Sequence, residues 1–121
     1  MTIPTSLDLW PTISNLVAWL DANNGRSQTE IGLRILKLTE EVGETAQAWI
    51  GATGQNPRKG ITHTRTDVAD ELCDVIVTAA VALASLVDDP GSHLDTKLAK
   101  IAARSEAVGQ PGSGVPGNPA A

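Results

Sequence analysis

Cysteine, aromatic residues and long apolar runs are all scarce in this chain of 121 residues. Its single cysteine, Cys73, excludes an internal disulfide framework. The chain has neither Phe nor Tyr, so any stacking against a planar ligand must fall to its three tryptophans. Because we find no signal-peptide pattern and no apolar run long enough for a membrane helix, we expect a soluble cytoplasmic protein that does not engage the membrane.

Positive charge is scarce as well, with 9 Lys and Arg residues against 14 Asp and Glu residues and a net charge of -5. Binding to a nucleic-acid backbone needs a clustered basic surface, so we expect no nucleic-acid partner. An acidic chain is better suited to a metal-dependent site. The 41% hydrophobic residues permit a core, but a domain this small buries one only marginally, so association with a second copy would help.

Apolar spacing and cap signals together predict an all-α fold, a four-helix bundle without strands. Pro11 suits the first turn of the first helix, which stops at Asn24-Gly25. The second is a long helix that is capped by Ser27 and ends at Gly51. Its apolar residues form one stripe, which we expect to pack in the core; the stripe comprises Ile31, Ile35, Leu38, Val42, Ala46 and Trp49.

Two further helices complete the predicted bundle. The third is capped by Thr64 and runs to about Asp88, and the fourth is capped by Ser92. These four helices place the domain at residues 1–108. Residues 109–121 are rich in Pro and Gly, so we expect them to form a disordered tail.

Carboxylates three residues apart occur on both long helices, as Glu41 with Glu44 and Glu71 with Asp74. Residues at this spacing are neighbours on one helical face, roughly 5–6 Å apart at Cβ. The pair on the second helix lies roughly opposite the apolar stripe. This position, taken by itself, suits a face exposed to solvent. The third-helix pair shares its side with Val81, in a stretch that is apolar nearly all round, so we expect this pair to be covered.

Covered carboxylates must be paired or must coordinate a metal. Oxygen ligands without histidine favour Mg²⁺, with Mn²⁺ as the alternative, over zinc or copper. Neither His63 nor His93 has a partner at metal-ligand spacing, and we expect both at the surface. Because Mg²⁺ commonly completes its coordination with substrate phosphates, a nucleotide-type substrate follows.

Two segments carry a resemblance to a known family. Residues 37–44 read Lys-Leu-Thr-Glu-Glu-Val-Gly-Glu and residues 70–75 read Asp-Glu-Leu-Cys-Asp-Val. They resemble the motifs Glu-Glu-x-x-Glu and Glu-x-x-Asp of the MazG-like all-α nucleoside triphosphate pyrophosphohydrolases. The resemblance implies Mg²⁺-dependent cleavage of a nucleoside triphosphate, NTP or dNTP, between its α- and β-phosphates by a homo-oligomer, a dimer or a tetramer.

The resemblance also implies roles for individual acids. It makes Glu41, Glu44, Glu71 and Asp74 the metal ligands. Glu40 becomes an outer ligand or the base that orients the attacking water. The loop at residues 51–60 is not part of the family signature, so the resemblance implies no role for it.

Seven further residues are candidates for substrate contact: Lys37, Arg58, Lys59, Lys97, Lys100, Arg104 and Trp19. The basic residues of the fourth helix equally suit its C-terminal dipole, and Lys37 equally suits an ion pair with Glu41. The two basic residues of the loop can cover a triphosphate or simply solvate the surface. Trp19 lies off the first helix's apolar stripe, which suits a base pocket, a subunit contact or mere partial exposure.

Two other functions fit the same residues. A non-catalytic module would use the acidic site to bind a nucleotide, a metal or a partner without hydrolysis. A plain structural bundle would leave the carboxylates solvated. A Mg²⁺-dependent pyrophosphohydrolase of the nucleotide-pool type is the prediction that the acidic motifs favour.

Overall fold

A computed structural model describes residues 7–109 of the chain. Those residues form four helices and no strand, which confirms the all-α prediction. The helices are α1 (Leu9–Asn24), α2 (Gln28–Thr53), α3 (Arg65–Leu86) and α4 (Pro90–Gly109). Among them, none is both long and apolar enough to cross a membrane.

Local capping chemistry fixes the starts of α2 and α3 as predicted. The Ser27 hydroxyl accepts a hydrogen bond from the Glu30 backbone N–H at 3.1 Å. At α3 the bonds are reciprocal: the Thr64 hydroxyl accepts from the Asp67 N–H at 3.1 Å, and the Asp67 carboxylate accepts from the Thr64 N–H at 2.8 Å. Each cap satisfies N–H groups that have no partner inside the helix.

Two predicted helix boundaries are wrong. Helix α2 continues past Gly51 to Thr53 and ends where Gly54 takes a left-handed conformation, φ 65°. Gly54 performs the terminating role because glycine adopts positive φ without a steric cost. At α4 the N-terminal acceptor is Asp89, whose carboxylate binds the Ser92 N–H at 3.1 Å, so Ser92 is not the cap.

The chain divides into two compact units, Met1–Asp88 and Asp89–Ala121, so α4 belongs to the second. In the first unit, α2 packs along α3 and α1 packs against α3. A small core of Ile13, Val17 and Ala80 joins α1 to α3. The predicted disordered tail lies outside the described residues, apart from Gly109, which is the last residue of α4.

The expectation that the apolar stripe of α2 forms the core is wrong. Val42 is 52% exposed and Trp49 is 46% exposed. The Arg65 guanidinium lies 5.4 Å from the centre of the Trp49 ring, a cation–π contact at the surface. The buried residues of α2 include Glu41 and Ala48, each one residue, about 100°, away from a residue of the stripe. The most deeply buried positions of α2 are therefore small or charged residues.

A buried arginine organises one end of the first unit. The Arg34 guanidinium donates to the Asp21 carboxylate at 2.9 Å and to the Glu30 carboxylate at 3.1 Å. It also donates to the Ser85 hydroxyl and to the Gly25 carbonyl, each at 3.0 Å. We call these five residues the Arg34 cluster. It ties α1, α2 and α3 together, and the Arg34 hydrogen bond holds the pKa of Asp21 below its usual value.

Candidate metal centre

Three carboxylates meet where α2 faces α3. One oxygen each from Glu41, Glu44 and Glu71 lies within 4.8 Å of the other two. Glu41 and Glu44 come from successive turns of α2, and Glu71 comes from α3, as the i, i+3 spacing and the helix packing require. We call these three residues the acidic cluster. It brings together three of the four predicted metal ligands.

Two oxygens of the acidic cluster are buried without a hydrogen-bond partner among the described residues: Oε2 of Glu41 and Oε2 of Glu71. Leaving a buried polar atom unpaired costs about 1–3 kcal/mol, and more when it is charged. Like charges this close also repel one another. A cation bound between the carboxylates would offset both costs.

Lys37 gives the acidic cluster its one ion pair among the described residues. The ammonium of Lys37 lies 3.6 Å from Oε1 of Glu41 and 3.9 Å from Oε2 of Glu40. The predicted i, i+4 pair is therefore present. Lys37 is exposed, and its contact is to Oε1, so Oε2 of Glu41 keeps no partner.

Two predicted site residues do not join the acidic cluster. Asp74 is exposed one turn beyond Glu71 and is not part of the group of mutually close oxygens. Glu40 is also exposed, and its recorded ion pair is with Lys37. Their predicted roles as metal ligand and as base stay predictions.

The donor set fits a hard divalent cation. All three ligand groups are carboxylates, and no histidine or cysteine among the described residues joins them. Oxygen-only donors of this kind suit Mg²⁺ or Mn²⁺ and do not suit zinc or copper. The two unpaired oxygens supply ligand atoms that no other group occupies.

An apolar pocket of about 330 Å³ adjoins the acidic cluster, between α1, α2 and α3. Trp19 and Leu16 form its α1 wall, and Val81 belongs to its α3 wall. Lys37 lines the pocket and also contacts Glu41, so this residue connects the pocket with the acidic cluster. We call this the Trp19 pocket. Trp19 itself is 63% exposed, which leaves its ring free for contact with a ligand.

The predicted basic contacts separate into different places. Lys59 lines a cavity between the end of α2 and the following loop, whereas Arg58 is exposed and does not line it. His63 lines the same cavity and is half-buried, so it is a partly covered residue of the surface.

Three basic residues lie on α4, in the second unit: Lys97, Lys100 and Arg104. All three are exposed. Because α4 belongs to a different unit from the acidic cluster, contact between these three residues and a substrate stays a prediction.

A comparison with protein-family models, curated proteins and solved structures found no match to this chain. The MazG-like assignment therefore stays a prediction, carried by the acidic motifs in their helical context. The acidic cluster stands independently of that assignment, because it follows from positions and burial in the structure.

Proposed function

We propose that this protein is a Mg²⁺-dependent nucleoside triphosphate pyrophosphohydrolase, which converts an NTP or dNTP to the monophosphate and pyrophosphate in nucleotide-pool sanitation. The observation that carries the proposal is the pair of buried, unpaired oxygens on Glu41 and Glu71, which meet a third carboxylate from Glu44. The Trp19 pocket, which shares Lys37 with the surroundings of Glu41, supports a substrate that has a planar apolar part and a charged part.

The acidic residues divide the work of hydrolysis. Glu41, Glu44 and Glu71 would hold the divalent cation, with Asp74 as a further ligand. When bound, the cation polarises the phosphoryl oxygens and neutralises the charge that develops on them. Glu40 accepts a proton from the attacking water as the water oxygen bonds to the α-phosphorus. The bond from that phosphorus to the bridging oxygen breaks, and pyrophosphate leaves with the electron pair.

The nucleoside occupies the Trp19 pocket in this proposal. Its base stacks on the exposed Trp19 ring, while Val81 excludes water from the α3 wall. Lys37, at the border between pocket and cluster, neutralises phosphate charge.

We further propose that the protein works as a homo-oligomer, a dimer or a tetramer. Large apolar side chains remain exposed on α2 and α3, among them Val42 at 52%, Leu72 at 49% and Ile76 at 60%. A contiguous apolar surface of this kind is typical of protein interfaces. Sedimentation velocity should give at least twice the monomer mass, and Val42→Lys should shift the distribution towards monomer; a wild-type monomer at all concentrations would contradict the assembly.

The direct test offers a panel of NTPs and dNTPs with Mg²⁺ while pyrophosphate release is followed. Wild-type protein should turn over at least one nucleotide. Glu41→Gln and Glu71→Gln should each lower turnover by at least about a hundredfold, since each removes several kcal/mol of charge stabilisation. Asp70→Asn is the matched control, because Asp70 is an exposed acid beside Glu71 that lies outside the acidic cluster.

Each outcome of that test decides between the candidate functions. Turnover that survives both glutamine substitutions would place the chemistry elsewhere. Nucleotide binding without pyrophosphate release would identify a non-catalytic nucleotide-binding module.

A further inference from the structure

The cavity at the end of α2 has a chemistry opposite to that of the acidic cluster. Its volume is about 380 Å³, and its polar lining includes Lys59, His63, Asn56 and Gln47. No acidic residue is among its lining groups in the described part of the chain. A cavity that offers an ammonium, an imidazole and two amides suits an anion with several oxygens. We call it the loop cavity.

The loop that forms this cavity has a defined shape. The Thr62 N–H donates to the Gly51 carbonyl at 2.9 Å, which fastens the returning loop to the last turns of α2. A Cβ on Gly51 would overlap both the Thr62 hydroxyl and the His63 ring, so glycine is what permits this close approach. Gly60 completes the turn at φ 67°, and its N–H donates to the Asn56 carbonyl at 3.0 Å.

The orientation of the His63 ring is also constrained. Its Nδ1 lies 2.8 Å from the Thr62 hydroxyl oxygen. When that hydroxyl donates to Nδ1, the neutral ring carries its proton on Nε2. Nε2 is then a hydrogen-bond donor even when the ring is uncharged, which is what binding to an anion requires.

Helix α2 relates the loop cavity to the acidic cluster. Gln47 follows Glu44 by three residues and Gly51 follows it by seven. At about 1.5 Å per residue, these positions lie about 4.5 and 10 Å farther along the helix axis. Positions three and seven residues apart share one face of a helix, so the loop cavity lies on the same side of α2 as Glu44, nearer the C-terminal end of the helix.

We propose that the loop cavity binds the terminal phosphates of the substrate, through Lys59 and His63. The inference rests on the proposed function and gives the substrate a direction along α2. The nucleoside lies in the Trp19 pocket, the scissile phosphate at the acidic cluster, and the β- and γ-phosphates in the loop cavity. Pyrophosphate is released from that end.

Binding of inorganic pyrophosphate to the full chain tests the inference without turnover. The chain has two histidines, and His93 lies in the other unit, so it serves as an internal control. In the presence of Mg²⁺, pyrophosphate should shift the imidazole NMR signals of His63 and leave those of His93 in place. An unchanged His63 signal at saturating pyrophosphate would overturn the inference.

Kinetics provide the second arm of the test. Lys59→Ala and His63→Gln should each raise KM for the triphosphate and Ki for pyrophosphate by about 10-fold or more, the effect of losing one hydrogen bond to a charged group. Inhibition by the nucleoside monophosphate should be unchanged, because that ligand has no terminal phosphates. Lys59→Arg should restore affinity, and His93→Gln should behave as wild type.

Failure of this inference is separable from failure of the proposed function. If wild type hydrolyses nucleotides while Lys59→Ala and His63→Gln keep normal KM and Ki, the activity stands and the loop cavity is excluded. If wild type hydrolyses nothing, the proposed function fails, and the pyrophosphate titration still decides whether the loop cavity binds phosphate.

Discussion

Two buried charges on the same helix have opposite surroundings. Arg34 and Glu41 lie seven residues apart on α2, and they are 5% and 9% exposed. The guanidinium of Arg34 donates to acceptors on four other residues. Oxygen Oε2 of Glu41 has no hydrogen-bond partner among the described residues, although Glu41 lies on the same helix as Arg34 and is buried to nearly the same extent.

The contrast separates structural burial from functional burial. A buried charge that makes hydrogen bonds to several helices holds those helices in place. A buried charge with an unpaired oxygen beside two further carboxylates has a cost that an added cation would offset. The Arg34 cluster is therefore the anchor of the first unit, and the acidic cluster is its candidate metal site.

The largest effect should come from breaking the anchor. Arg34→Met leaves two carboxylates, Asp21 and Glu30, without their buried partner, and should lower the free energy of unfolding by about 3–5 kcal/mol. Urea denaturation followed by circular dichroism measures this loss. Arg26→Gln is the control: Arg26 also binds Asp21 but is 45% exposed, so the expected loss is about 1 kcal/mol or less. Equal losses would contradict the assignment of Arg34 as the anchor.

A substitution in the acidic cluster should have the opposite effect on stability. Without metal, Glu41→Gln should be at least as stable as wild type, because it removes an unpaired buried charge. Mg²⁺ at a hundred times its Kd should stabilise wild type by about 2.7 kcal/mol and should not stabilise this variant. Thermal unfolding in EDTA and in Mg²⁺ measures both effects, with Asp70→Asn as control. A wild-type Tm that neither Mg²⁺ nor Mn²⁺ changes would contradict the metal centre.

The smallest predicted effect is the loss of stability at low pH. The Arg34 hydrogen bond lowers the pKa of Asp21, and the backbone N–H of Thr64 is the main cause that lowers the pKa of Asp67. Since both pKa values are lower in the folded state, their contribution to stability is complete above the usual value of 3.8 and is lost as pH falls through the folded value. Unfolding midpoints should stay level from about pH 7 to 5 and fall below about pH 4. Asp21→Asn should flatten this decline; an unchanged slope would contradict it.

Local signals in the sequence predicted the helices well. Ser27 and Thr64 begin their helices as expected, because a cap depends only on residues within one turn. The acidic motifs likewise identified three carboxylates that converge, since spacing along a helix determines which side chains share a face.

Contacts between distant segments were not predictable in the same way. The partners of Arg34 include Asp21 on α1 and Ser85 on α3, and no local pattern connects these positions. Periodicity found an apolar stripe through Val42 and Trp49 but could not show which face of α2 packs on α3. The loop cavity depends on Gly51 being inside the helix, whereas the sequence suggested that it ended there.

The position of Gly51 in the last turns of α2 also fixes how far the returning loop lies from the acidic cluster. Because Gly51 and Glu44 belong to a single continuous helix, the helical rise fixes the distance along the axis between the returning loop and the carboxylates. Under the proposed function, a ligand that contacts both at once would have to match that distance.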